Sequence, residues 1–204
     1  MEQRMEIFGH FTEIMPEKTE YLIISFSPTS FPLKQRWRAN GLSADFIADY
    51  LRIFFVGYED KESKKKKKNT APIPVRSKNA VKYIANELLE NTMKFHEPLL
   101  GYPHQAQIMF NLQIDKLIFQ VSNTVSAKGR GKLDQVIQTL LTGDPQALYL
   151  EQMEANAMDN SEHYSGLGFL SMMCDYSAKI GWKITTICED PLCYNVTTMV
   201  TLDL

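Results

Sequence analysis

The chain lacks most of the features that announce a chemistry. Cysteine is scarce: Cys174, Cys188 and Cys193 are three in number and show no metal-ligand spacing. That excludes a paired disulfide framework and a zinc motif, and points to a reduced, cytoplasmic protein. Histidine is no richer, since His10, His96, His104 and His163 form neither HExxH nor a Cys/His pattern,. No GxSxG turn presents a nucleophilic serine. No apolar run is long enough to span a bilayer, and the N-terminus, with its scattered charges, has no signal-peptide core, so no membrane partner is expected. An excess of either charge is also missing, the formal net charge being -2. Nothing in the overall charge draws the chain to nucleic acid. The one like-charge block, Lys64 to Lys68, lies in a polar segment, 59–74, that ends in two prolines. With no aromatic residues interleaved, it reads as a solvated loop.

What the chain does have is ordered periodicity. Residues 1–18 are weakly patterned and read as an N-terminal extension. TEYLIISFSPTS follows as a strand ending in turn residues. SADFIADYLRIFF places Phe46, Ile47, Tyr50, Leu51 and Phe54 at helical spacing,. The stretch from Ser77 to Phe95, SKNAVKYIANELLENTMKF, reads as an amphipathic helix capped by Ser77, with Val81, Ile84, Leu88 and Phe95 on its apolar face,. Glu87, Asn91 and Lys94 line one edge of that helix, which is either a solvated edge making i,i+4 pairs or a place to present polar groups to a ligand. After the irregular HEPLLGYPH, AQIMFNLQI and KLIFQVSN predict an antiparallel hairpin. Residues 124–165 read as an insertion. In it SAKGRGK is a basic loop whose Lys128, Arg130 and Lys132 read as solvated, with a phosphate clamp as the alternative, and LDQVIQTLL and PQALYLEQM are helices. In GLGFLSMMCDYSAKIGW, Phe169, Met172, Met173, Tyr176 and Ile180 mark a helical face that stops at Gly181. WKITTICED and CYNVTTMVTLDL close the chain as two strands.

This order predicts one α+β domain over 1–204. It is a two-layer sandwich, with a mixed, mostly antiparallel sheet of about five strands, three long helices on one face and a helical lid insertion.

Two motifs within it carry a family resemblance. ELLENTMKF, Glu87 to Phe95, resembles the asparagine box of the GHKL-type ATPases, the histidine-kinase-like ATPase fold. SGLGFLSMMCDYSAKIGWKI, Ser165 to Ile184, is similar to the glycine box, helix and strand that close the nucleotide site in the histidine-kinase branch. The resemblance spans roughly Ala80 to the C-terminus and is nearest in layout to stand-alone anti-sigma-factor-kinase-like regulators. It implies Mg–ATP as cofactor, Asn91 as the magnesium ligand and Glu87 as general base. It further implies Lys94 as a phosphate contact, and Gly166, Leu167 and Gly168 as a turn whose backbone N–H groups receive phosphate. Such regulators act on a protein partner, here an anti-sigma-antagonist-like domain, and a homodimer is left open.

The adenine wall departs from the family pattern. Asn123 stands where the family carries aspartate, and Val125 where it carries glycine; a register one residue earlier would put Ser122 at the acceptor position. Asn123 keeps an acceptor but adds a donor, and Val125 brings β-branched bulk to the place of the base. Two functions therefore remain open: an ATP-dependent serine/threonine kinase acting on a partner, or a nucleotide-independent interaction module that keeps the fold.

Overall fold

The computed structural model describes residues 4–14, 20–26, 41, 43–51, 73–97, 106–158 and 166–203. The lysine run Lys64 to Lys68, the HEPLLGYPH connection beyond Glu97 and the polar stretch 159–165 lie outside the described residues. The strands are β1 (Met5–Gly9), β2 (Glu20–Phe26), β3 (Ala106–Leu112), β4 (Lys116–Ser126), β5 (Lys179–Glu189) and β6 (Leu192–Asp203). The helices are α1 (residues 43–51), α2 (Ile73–Phe95), α3 (Ala127–Thr142), α4 (Pro145–Met158) and α5 (Leu167–Tyr176).

The architecture is α+β, with helices covering one face of a single sheet. Its six strands run in the order β1-β5-β6-β4-β3-β2. Every neighbouring pair is antiparallel. The strand beyond the expected five is β1, formed by MEIFG inside the segment read as an N-terminal extension. It pairs with β5, placing Gly9 opposite Gly181. Local composition could not show this, because the partner strand lies near the other end of the chain.

The core follows from the two periodicities. Along α2, Ala80, Val81, Ile84, Ala85, Leu88 and Leu89 are buried. The i, i+3, i+4, i+7 spacing puts them on one stripe facing the sheet. They meet alternate residues of the strands, among them Ile108 and Phe110 of β3, Leu117, Phe119 and Val121 of β4, and Val196 and Val200 of β6,. Phe110 and Phe119 pack edge to face with ring centres 5.4 Å apart. From α1, Ile47 and Leu51 join the same cluster. On the opposite face, Phe11 and Ile14 form a small second cluster with Ile118 and Met199 among the described residues.

Four boundaries differ from the sequence reading. First, α2 begins at Ile73, so Ser77 is interior and not the cap. Second, Phe95 is not core; it stands 51% exposed at the end of the helix.

Third, β4 continues through Asn123 and Val125 to Ser126, and SAKGRGK then opens α3 instead of forming a loop. The Ser126 hydroxyl accepts from the Gly129 N–H, so a capped helix start wins over the loop tendency of the glycines,. Arg130 in that turn is buried, not solvated. Its guanidinium donates to Asp134 at 2.7 Å and Glu6 at 3.1 Å and lies over the rings of Phe8 and Tyr194. It therefore ties β1 to α3 across the sheet edge. Past the end of α3, the Asp144 carboxylate accepts from the Gln146 N–H, and Pro145 opens α4 as its first residue,.

Fourth, α5 stops at Tyr176, because Ser177 takes a left-handed conformation at φ 55° and the Ala178 N–H returns to the Met172 carbonyl. Ile180 and Gly181 therefore belong to β5.

Candidate functional site

A cavity of about 510 Å³ opens between α2, the α3 start and the helix-side face of β4 and β6. Its volume is in the range of small-molecule sites, roughly 300–1,000 Å³. The floor is apolar, with Val121 and Val125 from β4, Val196 from β6, Leu88 from α2 and Phe169 from α5. Polar groups line the sides: Asn91 and Lys94 from α2, Asn123 from β4, and Lys128 and Lys132 from α3.

The local folding explains each placement. One turn apart on α2, Asn91 and Lys94 sit at the border of the buried stripe. At Asn123, β4 has run past the end of β3. The chain after α2 takes over that edge, with the Glu97 N–H donating to the Thr124 carbonyl at 2.9 Å and the Thr124 N–H donating to His96 Nδ1 at 3.4 Å. His96 thus serves the end of the helix. Val125 is 4% exposed, and α3 rests on it where Gly129 lacks a side chain: a Cβ there would come within 3.3 Å of Val125 Cβ. The bulk of Val125 is accommodated by the glycine four residues on, and Val125 forms part of the cavity floor without closing it.

Of the residues singled out in the sequence, Asn91, Lys94 and Asn123 line the cavity, whereas Glu87, Gly166, Leu167 and Gly168 do not. The structure brings two of those four into contact. A Cβ on Gly168 would stand 2.6 Å from Glu87 Oε2, so only glycine lets the carboxylate lie at the first turn of α5. Phe169, the next residue, is on the cavity wall, which makes the two places adjacent. Gly166 has the left-handed φ of 89° that favours glycine,. Gln152 of α4 covers it, its Cδ 3.2 Å from where a Cβ would sit. The Gln152 amide donates to Asn156, its neighbour one turn on.

Half-buried, Glu87 holds its proton above the ordinary glutamate value. Burial is the largest cause, the Glu90 carboxylate adds to it, and the Lys94 ammonium opposes it. Behind it the Tyr83 hydroxyl is pushed up to about 12, mainly by burial, with the Glu87 charge adding to a rise that a hydrogen bond with Ser171 opposes. Tyr83 stacks obliquely on Tyr176 at 5.3 Å, and Tyr149 donates to Asp175 at 3.3 Å. The carboxylate is thus backed by a tyrosine-rich wall where α2, α4 and α5 meet.

A raised carboxyl pKa has a stability sign. Between the ordinary glutamate value and the higher folded one, the unfolded chain holds fewer protons than the folded one, so stability falls as pH rises through that window. Glu87→Gln is therefore expected to melt above the parent at pH 7, and the gap should narrow towards pH 4, below the ordinary glutamate value, as the folded carboxyl takes up its proton,. Melting curves at the two pH values test this. An equal gap at both would show that the Glu87 charge is not penalised.

The residues that the sequence did not place at a site are Phe169, Val196 and the Gly129 contact; Lys128 and Lys132, read there as a solvated loop with a phosphate clamp as the alternative, line the cavity. The available signal was Ser126 three residues before Gly129, which marks a helix start and places both lysines on one helical edge. No described helix is long and apolar enough to cross a membrane. Among the described residues, no group of three His, Cys, Asp or Glu could hold a metal ion.

Comparison with known proteins adds little to this geometry. No protein-family model matches the chain. No curated protein matches it either. Among solved structures, it is similar to a chain of the SiaB–SiaC complex from Pseudomonas aeruginosa, with 17% identity, a TM-score of 0.48, and coverage of 90% of this chain and 89% of that one.

Proposed function

We propose that this chain is a GHKL-type regulator that binds Mg–nucleotide in the α2–α3 cavity and acts on a protein partner, as a serine/threonine kinase. The observation that carries the reading is the meeting of its two motifs. Glu87 of α2 lies against Gly168 of α5, and one turn further along α2 Asn91 faces the cavity beside Asn123.

The residues present fit a magnesium ion that arrives with phosphate. Such an ion keeps waters and phosphate oxygens and asks few ligands of the protein. The Asn91 amide on the cavity wall is a donor of that kind. When bound, the metal supplies neutralisation of phosphate charge. The chain's own residues do the rest. Val121, Val125, Val196 and Phe169 offer an apolar bed for a planar base, and Asn123 offers both an acceptor and a donor to its edge,. Glu87, with its affinity for a proton raised, is suited to take the hydroxyl proton of a partner's serine or threonine,.

Binding is tested by thermal shift with Mg–ADP. Saturation near a hundred times Kd should add ~2.7 kcal/mol, a rise of roughly 5–10 °C. Asn91→Ala should abolish the rise. No shift at millimolar nucleotide would sink the proposal.

Gln152 over Gly166 and the bulk of Val125 favour a second reading, a nucleotide-independent interaction module. Transfer of phosphate to a copurifying partner, stopped by Glu87→Ala, would rule that reading out.

A further inference from the structure

Three cysteines make no structural disulfide framework, yet two of them stand opposite each other. Cys188, near the end of β5, is the register partner of Cys193 in β6, on the hairpin that joins the last two strands. An irregularity in β5 creates that pairing. Thr186 pairs with Tyr194 and Cys188 with Cys193, so Ile187 is passed over. One extra residue in a strand re-aims the side chain that follows it. Without that step Ile187 would oppose Cys193, and the thiols would be out of register. Opposed residues of an antiparallel pair stand ~4.5–5.5 Å apart at Cα. A disulfide spans ~4.4–6.8 Å, so the register alone satisfies the reach of the bond. The two thiols are unlike. Cys193 is 1% exposed, whereas Cys188 is half-buried beside the exposed turn residues Glu189 and Asp190. Burial, and after it a hydrogen bond with Cys188, push the Cys193 thiol up to about 11. The Cys188 thiol in turn donates to the Asp190 carbonyl at 3.5 Å.

We propose that Cys188 and Cys193 are a dithiol site that closes reversibly to a cross-strand disulfide by exchange with a small-molecule disulfide. Cys188, the accessible sulfur, attacks first as its thiolate. A bond forms from its Sγ to one sulfur of the reagent, the reagent's S–S bond breaks, and the thiolate that leaves takes a proton. Cys193 then attacks the Cys188 Sγ as its thiolate, and the second half of the reagent leaves as a thiol. Two protein thiols are thereby oxidised by two electrons, and one disulfide is reduced to two thiols. A thiol that holds its proton and is closed to solvent is a poor first attacker, so the intramolecular second step is the part left to Cys193,. Cys174, on α5, lies outside the strand pair and stays a thiol. On its other side Cys193 is the register partner of Ser126, the cap of α3, so Cys188, Cys193 and Ser126 form one row across β5, β6 and β4. The closed bond fixes the end of the row from which α3 starts.

The test treats the full chain with excess 2-hydroxyethyl disulfide, which carries no charge for Glu189 and Asp190 to repel. Remaining thiols are alkylated in denaturant, and the chain is cleaved after Glu189 for mass spectrometry. The expected product is two peptides joined through Cys188 and Cys193, with Cys174 alkylated, and dithiothreitol should separate them. Cys193→Ala should stop at a mixed disulfide on Cys188, and Cys188→Ser should leave Cys193 a thiol. If the buried Cys193→Ala change prevents folding, the half-buried Cys188→Ser variant and the parent decide between them. A parent that stops at the mixed disulfide, keeps both thiols in excess reagent, or links through Cys174 or between chains would overturn the proposal. Exchange of the Gly129 amide, which donates to Ser126, should slow when the bond closes. An unchanged rate would overturn the reach of the bond to α3.

Discussion

Alanine at Gly181 is expected to destabilise the protein by roughly 3–5 kcal/mol. A Cβ there would come within 2.4 Å of His10 C and Phe11 N and 2.6 Å of the His10 carbonyl oxygen. All three are backbone atoms, so no side-chain rotation relieves the clash. The chain leaving β1 crosses over β5 at this point, held by the His10 N–H donating to the Ile180 carbonyl at 2.9 Å. It delivers Phe11, 8% exposed, onto Ile118 and Met199. Overpacking costs about 1–3 kcal/mol and losing the burial of one phenylalanine about 1.5–3. The loss cannot exceed the free energy of releasing the whole crossing, so hydrogen exchange should show newly exposed amides along the outer edge of β5. A urea midpoint equal to the parent's would refute the packing described.

The next largest effect falls on the neighbouring residue. Trp182 is 1% exposed and meets Phe169 edge to face with ring centres 5.7 Å apart. Trp182→Ala should cost about 3–5 kcal/mol. It should also loosen the cavity, because Phe169 is part of its wall. The indole Nε1 is buried without a hydrogen-bond partner among the described residues. An orphaned donor costs about 1–3 kcal/mol to bury. Trp182→Phe removes it while keeping an aromatic ring, and should lie within about 1 kcal/mol of the parent, the loss of volume being offset by the relieved donor. Equal losses for the Phe and Ala variants, measured by urea unfolding, would mean that the indole N–H is bonded after all.

Much of this was legible from local pattern. The apolar stripe of α2 and both hairpins are set by contacts close in sequence, and periods of 3.6 and 2 report them directly. The pairing of Glu87 with Gly168 was also readable, though only because both residues sit in recognisable motifs. What escaped depends on distant partners or on single backbone angles. Strand β1 is five residues with little alternation, and its reason for pairing is a glycine nearly a whole chain away. The end of α5 turns on a left-handed serine, which composition does not signal. The α3 start was hidden by two glycines that usually mark loops, although a serine cap governs them. That Lys128 and Lys132 line the same cavity as Lys94 is set by tertiary packing, which no local pattern shows.

The sheet order has a cost in chain entropy. Strand β4 follows β3 after a short turn, and Gln113 N–H donates to the Lys116 carbonyl within it. Strand β1, by contrast, pairs with β5 only after nearly the entire chain has been threaded between them. Each doubling of a closed loop adds about 0.6 kcal/mol, so this closure costs roughly 3–4 kcal/mol more than the hairpin. The Arg130 clamp, the close approach of Gly9 to Gly181 and the Phe11 crossing all lie along that one seam. Their concentration there is what the longest loop in the fold requires: attachments dense enough to offset the freedom lost when the two ends of the chain are brought side by side.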